Sequence, residues 1–167
     1  MTTRMTAREV HPWARRAAHI VPLLTLPSGL WRVALVLGLP LTNADPGPFM
    51  ERLYIVTLSL VSEGAALLTL GLVLGWGEVV PRWIPWLGGR RVHPLAGFVP
   101  AITGAAALTA LWAVVFWKIP RSDFFEFFNG VQSVVVMACY VPLLAWGPLL
   151  GALAVAYLRR RSTKVRA

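Results

Sequence analysis

Four apolar stretches, at about 17–41, 53–75, 95–117 and 131–157, decide what this chain is able to fold into. Each is long enough to cross a hydrocarbon core, which takes about 20 helical residues. Lipid offers no partner to backbone N–H and C=O groups, so only helices and closed barrels span it. A barrel would show alternating segments of about ten residues, and these runs do not alternate. The expected fold is therefore all-α: a polytopic membrane protein with four transmembrane helices in a bundle. A transmembrane domain over 17–157 is flanked by a basic N-terminal segment, 1–16, and a basic tail, 158–167.

Composition points the same way. Hydrophobic residues make up 57% of the 167 positions and charged residues 14%, against about 45–50% and about 25% in soluble domains. A soluble domain of this size has too little interior to hide that much apolar surface. The single cysteine, Cys139, excludes an intrachain disulfide scaffold.

The net charge of +9 is that of many nucleic-acid-binding domains, but the placement of the charges argues against nucleic acid. Arg4, Arg8, Arg15 and Arg16 precede the first span, and Arg82, Arg90 and Arg91 lie between the second and third. Arg159, Arg160, Arg161, Lys164 and Arg166 follow the fourth. The opposite face holds only Arg52, Lys118 and Arg121. The positive-inside rule then puts both termini in the cytoplasm of a bacterial plasma membrane. The first span is too long for the apolar region of a signal peptide and lacks a small-x-small cleavage site.

The loop between spans two and three mixes Trp76, Trp83 and Trp86 with its arginines. Indole rings settle at the headgroup layer, and Arg82, Arg90 and Arg91 with Trp83 and Trp86 are candidate contacts to anionic lipid headgroups. The segment 122–128 reads as a short amphipathic helix lying on the membrane, with Ser122 as its cap. Small residues at Gly71 and Gly75, Ala101 and Ala105, and Gly147 and Gly151 mark close helix contacts, within the chain or between copies. Pro22, Pro27, Pro100, Pro142 and Pro148 predict kinks. A weak repeat, Leu30-Trp31-Arg32-Val33 and Leu111-Trp112-Ala113-Val114, falls on two spans running in the same direction.

An ionisable group inside a span is costly and is a site hypothesis by default. Arg32 in span one and Glu63 in span two stand out, and at about 1.5 Å per residue they differ in depth by about 4–5 Å. Contact between them would cancel both charges. Ser28, Ser59 and Ser62, with Gln132 further off, are placed to satisfy leftover donors and acceptors, and Pro27-Ser28-Gly29 to open the helix beside them. His11, His19 and His93 lack metal-site spacing, so neither metal nor cofactor is expected.

The stretches Ala14-Arg15-Arg16-Ala17-Ala18-His19, Leu26-Pro27-Ser28-Gly29-Leu30-Trp31-Arg32, Ser59-Leu60-Val61-Ser62-Glu63-Gly64, Trp76-Gly77-Glu78-Val79-Val80-Pro81-Arg82-Trp83 and Trp146-Gly147-Pro148-Leu149-Leu150-Gly151 span nearly the whole chain. Across them the protein resembles a group of small uncharacterised actinobacterial four-helix integral membrane proteins. That resemblance implies four membrane helices and a bacterial plasma membrane, and brings no activity with it.

Three classes of function fit this pattern. One is binding or transport of a small ion or amphiphile at an intramembrane Arg32/Glu63 site. The second is a structural or accessory subunit in which the same pair holds helices in register. The third is an intramembrane enzyme, of cyclase or isomerase type, acting on a lipophilic substrate with Glu63 as general acid. The space around Glu63 is what separates them.

Overall fold

A computed structural model describes residues 10–39, 45, 47–74, 89, 92–121, 128 and 130–162. Among these there is no strand. Helix α1 runs Pro12–Val36, α2 Phe49–Leu68, α3 Pro94–Lys118, α4 Gly130–Tyr140 and α5 Trp146–Ser162. Short 3₁₀ turns extend α2 over Thr69–Leu72 and α3 over Ile119–Arg121, and another, Val141–Ala145, joins α4 to α5. The result is four helical rods long and apolar enough to cross a membrane: Pro12–Val36, Phe49–Leu72, Pro94–Arg121 and Gly130–Ser162.

Each boundary has a local cause. Pro12 and Pro94 occupy first-turn positions, where a missing N–H costs nothing. The His93 side chain accepts a bond from the Leu95 N–H at 3.3 Å, satisfying one of the orphan donors of α3. Helix α1 stops five residues short of its apolar stretch because Gly38 takes a positive φ of 68°. The Gly38 N–H then reaches Leu35 O and the Leu39 N–H reaches Ala34 O, the two bonds of a Schellman ending.

Of the five prolines expected to kink helices, only Pro142 falls in a break, the 3₁₀ turn Val141–Ala145. Pro22, Pro27 and Pro100 lie inside unbroken helices, and Pro148 sits in the first turn of α5.

Helix α1 packs on α2 along one side and on α5 and α4 along another, while α3 packs mainly on α5. The α3–α5 seam is close. A Cβ on Gly147 would lie 2.8 Å from Thr109 N and 2.9 Å from Ala105 O, and one on Gly151 would lie 3.5 Å from the Ala105 Cβ. The small residues at 105, 147 and 151 are therefore spent on contacts within the chain. Five of the twelve residues of the main buried cluster are alanines, Ala14, Ala17, Ala18, Ala66 and Ala154, packed with larger side chains such as Leu153 and Tyr157. Other large apolar side chains point outward: Leu30, Leu60, Val134 and Trp117 are each more than 60% exposed. That apolar exterior suits a lipid solvent, and the alanines let helices approach closely.

Candidate functional site

Glu63 and Arg32 do not meet. The face that α1 turns toward α2 presents Thr25 and Gly29 to Glu63, and Thr25 Oγ1 lies 2.9 Å from Glu63 Oε2. Gly29 makes room for the carboxyl group, since a Cβ there would sit 3.0 Å from Oε1. Arg32 lies nearly one turn further along α1 and turns to α4, where its Nε donates to the Tyr140 hydroxyl at 3.2 Å. The depth match read from the sequence holds, because Gly29 and Arg32 are three residues, about 4.5 Å, apart. Pairing fails because Arg32 reaches to Tyr140 on α4, while the Glu63 carboxyl lies against Thr25 and Gly29.

The Thr25 hydroxyl is 1% exposed and has a second acceptor, Pro22 O, also at 2.9 Å. A hydroxyl has one proton. In the structure that proton is placed between Pro22 O and Glu63 Oε2.

The serines expected to assist this site are occupied. Ser28 donates to Thr25 O at 2.8 Å, Ser59 to Ile55 O at 2.8 Å and Ser62 to Leu58 O at 2.7 Å. Each bond returns to the preceding turn of the same helix, the habit of Ser and Thr in helices that lack other partners. Pro27-Ser28-Gly29 does not open α1, and Gly29 serves as a slot instead.

Around Arg32 the arrangement is different. The side chain is 8% exposed, and its Cζ lies 5.5 Å from the Tyr140 ring centre. Trp31 and Trp112 meet the same ring edge-on, at 5.7 and 6.0 Å between centroids. Phe128 packs against Trp31 and Phe116 against Trp112. The two Leu-Trp segments of the weak repeat thus flank one tyrosine from two helices. Arg32 Nη1, Trp31 Nε1 and Trp112 Nε1 are buried with no hydrogen-bond partner. A cavity of about 400 Å³ lies against Trp31, Trp112, Phe116, Phe128, Val136 and Tyr140.

Sequence reasoning singled out Arg32 and Glu63 but missed Thr25, Tyr140, Trp31 and Trp112. One signal was available for Thr25. Thr25, Gly29 and Arg32, at i, i+4 and i+7, share a helix face. Nothing in the sequence ties Tyr140 to Arg32, 108 positions away.

At the other end of the molecule, Val10, His11 and Ala14 line a cavity together with Leu153, Tyr157, Arg159 and Arg160. The start of α1 and the end of α5 therefore lie together. Arg160 Nη2 donates to Leu72 O at 3.1 Å, and Arg161 Nη2 donates to Val92 O. The basic end of α5 thereby caps the carbonyl end of the α2 rod, where a cation is favoured by the helix dipole.

The proposed headgroup contacts Arg82, Arg90, Arg91, Trp83 and Trp86 lie outside the described residues, as does the segment 122–127. Among the described residues, no three His, Cys, Asp or Glu side chains are grouped to hold a metal ion. Comparison with protein-family models, curated proteins and solved structures finds no match.

Proposed function

We propose that the chain is a multi-pass protein of a bacterial plasma membrane that binds a small ion or amphiphile at a site inside its helix bundle. The observation carrying this reading is Arg32. It is 92% buried in a helix apolar enough to cross a membrane, yet among the described residues has no carboxylate beside it and leaves Nη1 without a partner. A charge kept in such a place at a cost of several kcal/mol marks a binding or transport role more often than a packing one. The accessory-subunit reading leaned on an Arg32–Glu63 pair, and the separate partners of the two side chains take that support away.

In this reading both termini are cytoplasmic, in line with the basic residues on that side. The loop arginines Arg82, Arg90 and Arg91, with Trp83 and Trp86, contact anionic headgroups of the same leaflet. Arg121, whose Cζ stacks 4.1 Å from the Trp117 ring centre, belongs to the opposite interface. A kinship with small actinobacterial membrane proteins is part of the proposal and rests on sequence resemblance.

Thermal unfolding in nanodiscs tests the binding role. The expected result is that at least one of chloride, bicarbonate, phosphate and dodecanoate raises the Tm of the wild type and leaves Arg32→Leu unmoved. Equal behaviour of the two proteins across all four ligands overturns it.

A further inference from the structure

We infer that the cavity beside Tyr140 takes an anionic amphiphile, with its acidic head among the N–H donors around that ring and its apolar body against the aromatic wall. The inference rests on the binding role proposed above and names its ligand class.

Trp31, Trp112 and Tyr140 line the cavity, and Arg32, which does not line it, is bonded to the Tyr140 hydroxyl. Arg32 Nη1, Trp31 Nε1 and Trp112 Nε1 are all donors, all buried and all without a partner. The guanidinium and both indole rings lie within about 6 Å of the one phenol ring. Tyr140 Oη accepts from Arg32 Nε, so its own proton is left to donate. Among the described residues no carboxylate lines the cavity, and the Glu63 carboxyl is bonded to Thr25. Each buried donor left unmade costs about 1–3 kcal/mol, more for a charged one. An occupant rich in acceptors and short of donors removes that cost, and a negative charge on it also answers Arg32.

The remaining lining excludes the other classes. A cation beside Tyr140 would lie near the guanidinium bonded to that hydroxyl, with no counter-charge among the described lining residues. A wholly apolar molecule would leave every donor unpaired. A small inorganic anion would answer the donors but leave the apolar surface of Val136, Phe116, Phe128 and Met137 unfilled. The volume, about 400 Å³, falls in the range that small-molecule pockets occupy. The shared chemistry is an acidic head on a hydrocarbon body. A free carboxylate or phosphate amphiphile supplies it, and so does an anionic lipid of the surrounding bilayer.

Fluorine NMR on protein grown with fluorotryptophan reads the site directly, because Trp31 and Trp112 line it. Their two signals are assigned by Trp31→Phe and Trp112→Phe, and the protein is held in phosphatidylcholine nanodiscs. Dodecanoate and dodecyl phosphate should move both signals saturably, while dodecyltrimethylammonium should not. Arg32→Gln should weaken the apparent affinity about tenfold or more. Should that variant fail to fold, the contrast between anionic and cationic chains is read on the wild type alone. Signals that move on changing to phosphatidylglycerol nanodiscs, with no further shift from dodecanoate, support the inference and assign the source to a membrane lipid. Equal shifts from the cationic and anionic chains overturn it, as does no shift from any chain in either lipid. Inorganic phosphate as effective as dodecyl phosphate also overturns it, while leaving the binding role of Arg32 standing.

Discussion

Glu63 and Arg32 are an acid and a base on neighbouring apolar helices, and the fold houses them in opposite ways. The acid sits in a slot cut for it. Gly29 leaves space for one carboxyl oxygen, and a nearly fully buried threonine hydroxyl meets the other at 2.9 Å. The base has one hydrogen bond at 3.2 Å, to a tyrosine walled by two tryptophans, with three N–H groups around it unmatched. A filled polar contact between two packed helices contributes to holding them in register. An unfilled set of donors beside a cavity spends stability, and natural chains keep such costs where a ligand recovers them. On the function proposed above, packing belongs to the first region and recognition to the second.

The largest effect that would break this contrast is loss of the Tyr140 ring. Tyr140→Ala removes the surface on which Trp31, Trp112 and Arg32 all pack, and should cost about 3–5 kcal/mol, the scale for deleting a core aromatic. Chemical unfolding in micelles measures it. Tyr140→Phe keeps the ring and should lose only about 1.5–3 kcal/mol, the worth of a hydrogen bond to a charged group. A cost near zero for the alanine variant would show that the aromatic wall is not part of the folded core.

On the acid's side, Thr25→Val should cost about 1–3 kcal/mol, because Glu63 loses its partner in a part-buried contact between two helices. Glu63→Gln retains a group able to bond Thr25 and should cost less than about 1 kcal/mol by the same reasoning. Unfolding of both variants under identical conditions gives the difference. If Glu63→Gln proved the more damaging, the carboxyl group would be doing something that the Thr25 contact does not describe.

These two regions also differ in how far the sequence disclosed them. Span three was legible almost to the residue, 95–117 against Pro94–Lys118, because His93-Pro94 and the Lys118–Pro120 end are local signals. Span one was displaced by about five residues, since Leu37, Leu39 and Leu41 prolong the apolar run past the point where Gly38 ends the helix. Burial of Arg32 and placement of Glu63 on a helix facing α1 followed from hydropathy and helix rise. Their partners did not. Hydropathy reports depth, but partner choice depends on rotation about the helix axis and on which helix lies on which side. The turn of Arg32 toward α4, and of Trp112 from α3 onto the same tyrosine, is a property of the packed fold.

The smallest expected effect is the most discriminating. A double-mutant cycle on Arg32→Leu and Glu63→Leu measures whether the two groups act on one another. Direct pairing inside a span would make each single substitution strip the other group of its counter-charge, costing about 3–5 kcal/mol, with most of that restored in the double variant. Separate partners predict otherwise. Glu63→Leu should lose the Thr25 contact and press its bulk toward Gly29, while Arg32→Leu exchanges one hydrogen bond for relief from an unmatched N–H. The double variant should then show the sum of the two, with a coupling under about 1 kcal/mol. The parallel cycle on Arg32→Leu and Tyr140→Phe should give a coupling of about 1.5–3 kcal/mol, since that bond is made. Should the two cycles come out reversed, with Arg32 coupled to Glu63 and indifferent to Tyr140, the assignment of packing to one region and recognition to the other would collapse. The slot at Gly29 would then have to be read as one half of an ion-pair site.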